Sequence, residues 1–228
     1  MDISSHWIEI TPGLSGYLVL PPAGNGPGLV LFQEIFGVNE HIRAVAEQYA
    51  LDGFVVLAPD VFWRQAPRVE LGYEGDDRQR AISLMQAQQP AELLADIHAA
   101  VGALRARPET AGRKLGAIGY CMGGRLAYVA AAKAGIDAAV PFYGGGIHNM
   151  LDIASEITCP VQLHYAENDG NIPLEAVERV RAAVPHAEVH VYPGSTHGFN
   201  CWARASYHAP SAALSHGRAL QFLANALF

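Results

Sequence analysis

A series of short, continuous apolar runs sets the strongest limit on what this chain can fold into. "GLVLFQ" (Gly28–Gln33), "FVVLAPD" (Phe54–Asp60) and "KLGAIGY" (Lys114–Tyr120) do not alternate apolar with polar residues. That pattern predicts strands covered on both faces. "SGYLVLP" (Ser15–Pro21) reads as an earlier strand. "AAVPFYG", "CPVQLHYAEND" and "AEVHVYPG" read as later ones. Helical segments fall between them. Asn39–Gly53 has an Asn to cap it and a Gly just past its end. Others cover Asp77–Gln88, Ala91–Arg107, Met122–Gly135, "PLEAVERVRAAVP" and Pro210–Ala226, and residues 61–75 form a longer connection. Such alternation predicts an α/β fold, a mostly parallel, doubly wound sheet with helices on both faces. Ligands of such sheets bind beyond the carboxyl ends of the strands. No repeat or long linker divides residues 1–228, so a single domain is expected.

Charge and composition narrow the partners. Only 16% of residues are charged and the formal net charge is −7. The Lys and Arg residues form no stripe, so no nucleic-acid partner is expected. No apolar run is long enough for a membrane span. "MDISSHWIEI" lacks the features of a signal peptide, and the cysteines number three. These features predict a cytoplasmic protein with free thiols. No long exposed apolar stripe demands a partner, so a monomer is expected. Metal-binding spacings and a P-loop ending are missing, so no metal or other cofactor is expected.

The chemistry centres on "G-Y-C-M-G" (Gly119–Gly123), which fits the G-x-S-x-G nucleophile turn with Cys121 in place of serine. A chain that leaves a strand, turns sharply and enters a helix needs glycines where a Cβ would collide. The helix N-terminus behind Cys121 favours negative charge there. Cys121 could equally be a buried structural cysteine, but the strand before it and the helix after it are the context that the turn requires. An acid and a histidine should follow in that order. Asp169 in "YAENDGNIP" and His197 in "YPGSTHGF" occupy those places, with Glu167 as the competing acid. His197 would accept the thiol proton, and Asp169 would orient the ring. The backbone N–H groups of Met122 and Ile35 are the candidate oxyanion donors. Cys159 reads as structural and Cys201 as a packing residue.

Several stretches together carry a resemblance. They are "QEIFGVN" (Gln33–Asn39), "APDVFWRQAP" (Ala58–Pro67), "DDRQRA" (Asp76–Ala81), "GYCMGG" (Gly119–Gly124), the Asp169 turn and "HGF" (His197–Phe199). Over nearly its whole length the chain resembles the dienelactone hydrolase (carboxymethylenebutenolidase) family. The resemblance implies an α/β-hydrolase fold, a Cys121–His197–Asp169 triad, and a small lactone or ester substrate that bears a carboxylate. It also implies a role for Glu34. A carboxylate beside a thiol disfavours the thiolate, and a free thiol with a pKa of ~8.5 is already mostly protonated near neutrality. The implied remedy is substrate-assisted: an arginine holds Glu34 until the substrate carboxylate competes for it, and Glu34 then takes the Cys121 proton. Arg80 and Arg204 are the implied carboxylate-binding residues. Leu84 stands where some members carry a tyrosine. A broader carboxylesterase or thioesterase, or a non-catalytic small-molecule binder, are the competing readings.

Overall fold

The computed structural model describes residues 2–228. Its strands join into one eight-stranded sheet in the order β1-β2-β4-β3-β5-β6-β7-β8. The strands are β1 (Ser4–Thr11), β2 (Leu14–Leu20), β3 (Gly28–Phe32), β4 (Val55–Pro59), β5 (Leu115–Tyr120), β6 (Ala138–Phe142), β7 (Gln162–Ala166) and β8 (Glu188–Tyr192). The helices are α1 (Glu40–Leu51), α2 (Gly75–Gln86), α3 (Pro90–Arg105), α4 (Met122–Lys133), α5 (Leu174–Ala183) and α6 (Ala209–Leu227). Every residue of β3 to β7 is buried, which is why β3 to β6 are apolar throughout; in β7 the buried Gln162 and His164 side chains hydrogen-bond to each other. Short 3-10 turns at Ile147–Asn149 and Leu151–Glu156 lie between β6 and β7. No helix among the described residues is long and apolar enough to cross a membrane.

From β3 onward the strands run parallel, whereas β1 and β2 form an antiparallel hairpin that joins β4 antiparallel. The sequence pattern had not pointed to β1. It is an edge strand none of whose eight residues is fully buried, so burial leaves little imprint on its composition. From β3 the chain moves outward to β4, then returns to the opposite side of β3 as β5. That reversal is the switch point of a doubly wound sheet, where two loops diverge and open a crevice. The loop leaving β3 carries Glu34 and Ile35; the turn leaving β5 carries Cys121.

Local chemistry fixes the first of these loops. The Asn39 side chain accepts from the Ile42 N–H at 3.2 Å and caps α1. Its amide donates to the Tyr73 hydroxyl at 3.0 Å and so ties α1 to the connection before α2. In the first turn of α1, His41 is buried edge-on against Trp202. Burial, and secondarily the Arg204 charge, push the His41 imidazole down to about 4. The unfolded chain therefore binds more protons than the folded one between about 6.5 and about 4. Stability is expected to fall as pH drops through that window, with His41 contributing up to about 3 kcal/mol. Urea unfolding of the protein and of His41→Phe, compared from pH 7 to pH 4, checks this. Wild-type stability should fall toward acid more steeply than that of His41→Phe; parallel curves would contradict it.

Candidate active site

Cys121 sits between the last residue of β5 and the first of α4, with φ +57° and ψ −116°. Non-glycine residues rarely adopt positive φ, and holding one there costs on the order of 1–3 kcal/mol. The surrounding packing enforces the turn. A Cβ on Gly119 would lie 2.0 Å from the Gly123 carbonyl oxygen, and one on Gly123 would lie 2.1 Å from the Phe32 oxygen. The two glycines thus let α4 start directly against the ends of β5 and β3.

The His197 Nε2 lies 3.1 Å from the Cys121 Sγ, and its Nδ1 lies 2.8 Å from the Asp169 Oδ2. Asp169 is held in turn: its Oδ1 accepts from the Asn171 N–H at 2.8 Å, and its side chain is fully buried. Glu167, the other acid of that loop, accepts instead from the Gly194 N–H at 2.8 Å and stays away from His197. Burial opposes charge on His197. The Cys121 sulfur and the Asp169 carboxylate outweigh it and push the imidazole up to about 10.

Glu34 is buried, and its Oε1 accepts from Arg204 Nη1 at 2.9 Å. Burial raises its pKa; Arg204 first and His197 second pull it back. Gly198 makes room for this pair, since it has φ +83° and a Cβ there would lie 2.5 Å from the Arg204 Nη1. Arg204 also lies over Phe36 and Tyr73. Cys201 packs behind the pair. Its thiol donates to the Tyr73 hydroxyl at 3.5 Å, and burial, then the Glu34 charge, push it up to about 12. Cys159 is buried elsewhere, against α4.

These groups border a cleft of about 570 Å³ lined by Ile35, Cys121, Met122, His197 and Arg204. That volume suits a small molecule. Met122 is the first residue of α4, so its N–H has no acceptor within the helix. Among the described residues, neither it nor the Ile35 N–H donates to a loop carbonyl.

Arg80 requires a correction. It is exposed on α2 and does not line the cleft; Arg78, Ile82 and Met85 of that helix do. Those three recur at helical spacing, and Arg80 lies about 200° around the helix from Arg78. Leu84 packs on the core and does not line the cleft either. Sequence reasoning missed Arg125, which lines the cleft. Its position four residues after Cys121, hence on the same helix face, was a usable signal.

A strained strand-to-helix turn at the switch point of such a sheet defines an α/β-hydrolase. Within that class, the chain belongs to the dienelactone hydrolase family, whose model matches residues 14–227. It is 36% identical to a carboxymethylenebutenolidase of Pseudomonas putida, over 92% of this chain and 90% of that one. It is 30% identical to carboxymethylenebutenolidase 1 of Cupriavidus pinatubonensis, over 96% and 97%. A solved structure from Klebsiella pneumoniae subsp. pneumoniae, described provisionally as a dienelactone hydrolase, superposes with a TM-score of 0.86 at 31% identity, covering 98% of this chain and 99% of that one. The protein is a carboxylic ester hydrolase.

Proposed function

We propose that this hydrolase opens dienelactone, or a related lactone or ester with a carboxylate on its alcohol side, through a thioester on Cys121. The observation that carries this reading is the Glu34–Arg204 pair, 2.9 Å long, buried beside the Cys121–His197 couple. A substrate carboxylate that takes up Arg204 strips Glu34 of its counter-charge. A buried carboxylate without a partner gains a strong preference for a proton. The Cys121 thiol is the source of that proton in the proposed sequence.

The cysteine sulfur then attacks the ester carbonyl carbon. The Met122 and Ile35 N–H groups receive the oxyanion. Collapse breaks the bond to the alcohol oxygen, which leaves with a proton from the imidazolium form of His197. Water attacks the thioester, His197 accepts its proton, and the Cys121 thiolate leaves; as the acid is released, Glu34 returns its proton to that sulfur and pairs with Arg204 again. Asp169 keeps His197 in the orientation that both steps need.

The test is a ratio. 3-Carboxy-4-nitrophenyl butyrate carries a carboxylate on its leaving group, and 4-nitrophenyl butyrate carries none. The wild type should favour the acidic ester, and Glu34→Gln should lower its kcat relative to that of the neutral ester by roughly 10²-fold. Equal losses on both esters would contradict a role for Glu34 that is triggered by carboxylate. The outward position of Arg80 favours a broader ester hydrolase as a second reading. A wild type indifferent to the leaving-group carboxylate would select it.

A further inference from the structure

Two guanidinium groups of the cleft have no carboxylate to pair with. Arg204 is tied to Glu34, but neither Arg78 nor Arg125 forms an ion pair among the described residues. No Asp or Glu lines the cleft they share.

The placement of Arg125 is built into the fold. Its backbone N–H donates to the Cys121 carbonyl at 3.3 Å, one helical turn beyond the nucleophile. Its side chain runs along Gly146, where a Cβ would lie 3.3 Å from Nη1 and 3.6 Å from Cδ. Gly146 has φ +88°, so a glycine there satisfies the backbone and leaves the guanidinium its space. Gly146 follows β6, which flanks β5 on the side away from β3. Glu34 follows β3. The Glu34–Arg204 pair and Arg125 therefore straddle Cys121. Arg78 comes to the cleft from α2, at the exposed rim.

The geometry points to a second anion-binding subsite, formed by Arg125 with Arg78 at the rim, that holds a carboxylate on the acyl side of the substrate. This rests on the reading above, in which Arg204 receives the carboxylate on the alcohol side. With the reacting carbonyl at Cys121, the acyl portion extends toward Arg125. A guanidinium offers two parallel donors to a carboxylate there. Favoured substrates are thus esters or lactones whose scissile carbonyl lies between two anionic groups. A carboxylate held at Arg125 would also keep the thioester in place after the alcohol side has left.

Four esters separate the two subsites: 4-nitrophenyl butyrate, 4-nitrophenyl hemisuccinate, 3-carboxy-4-nitrophenyl butyrate and 3-carboxy-4-nitrophenyl hemisuccinate. The acyl-side advantage is the kcat/KM of a hemisuccinate divided by that of the matching butyrate. It should be roughly tenfold or more in the wild type, the size of one charge-assisted contact. Arg125→Gln should bring it close to one and Arg125→Lys should restore part of it. The leaving-group advantage should persist in both. Arg78→Gln, a change at the exposed rim, should lower the same acyl-side ratio severalfold. Because each ratio is taken within one variant, a general loss of active protein cancels. No acyl-side advantage in the wild type, or one that survives both Arg125→Gln and Arg78→Gln, would overturn the subsite. Loss of only the leaving-group advantage would instead count against the role proposed for Arg204.

Discussion

Cys121→Ala is expected to lower kcat/KM for any ester substrate by on the order of 10⁴-fold, which corresponds to about 5.5 kcal/mol of transition-state stabilisation. The proposed covalent route needs the sulfur, and removing a nucleophile leaves only the oxyanion donors and substrate binding. Stability should change little, because alanine keeps a Cβ at the strained φ of +57° and removes one sulfur from a half-exposed site. Initial rates on 4-nitrophenyl butyrate, with thermal unfolding as a control for folding, check this. Activity within tenfold of the wild type in well-folded Cys121→Ala would contradict the assignment.

Gly123→Ala should have the largest effect on stability. The added Cβ would stand 2.1 Å from the Phe32 carbonyl oxygen and 2.5 Å from that of Gln33. Both are backbone atoms at the end of a buried central strand, so neither can yield cheaply. A loss of about 3 kcal/mol or more is expected, or roughly 6–12 °C in Tm for a chain of this size. Function should fall as well, because the displaced residues lead directly into Glu34 and Ile35. Two other glycines provide a control of opposite sign. Gly102 in α3 and Gly217 in α6 meet nothing within 4 Å of an added Cβ. Alanine at either should raise stability by about 0.5–1 kcal/mol. Differential scanning calorimetry of the three variants decides the matter. An unchanged Tm for Gly123→Ala would show that the turn is less tightly determined than its contacts imply.

The same physics explains what the sequence could and could not reveal. The central strands were legible because burial on both faces demands unbroken apolar runs. The Cys121 turn was legible because close approach demands glycine at Gly119 and Gly123. Asp169 and His197 were legible by position, each in the loop that leaves a late strand. β1 left little trace, since an edge strand can be built from exposed polar residues. The phase of α2 was also hard to read. That helix buries only Ala81 fully, so its hydrophobic pattern barely specifies which face turns inward. The resemblance around "DDRQR" pointed to Arg80, whereas it is Arg78 that lines the cleft. Glu34 carried no chemical signal of its own in the residue pattern; its part came from resemblance. Its pairing with Arg204 depends on two loops 170 residues apart in sequence.

The acyl group proposed on Cys121 is open to direct capture. Mixing the protein with excess 4-nitrophenyl butyrate, quenching in acid within milliseconds and mapping the peptides by mass reads the label's position. A butyryl group on the peptide containing Cys121, absent in Cys121→Ala and decaying at the rate of turnover, is the expected outcome. A butyryl group that forms and decays at the turnover rate on Cys201, Cys159 or a serine, with Cys121 unlabelled, would contradict it.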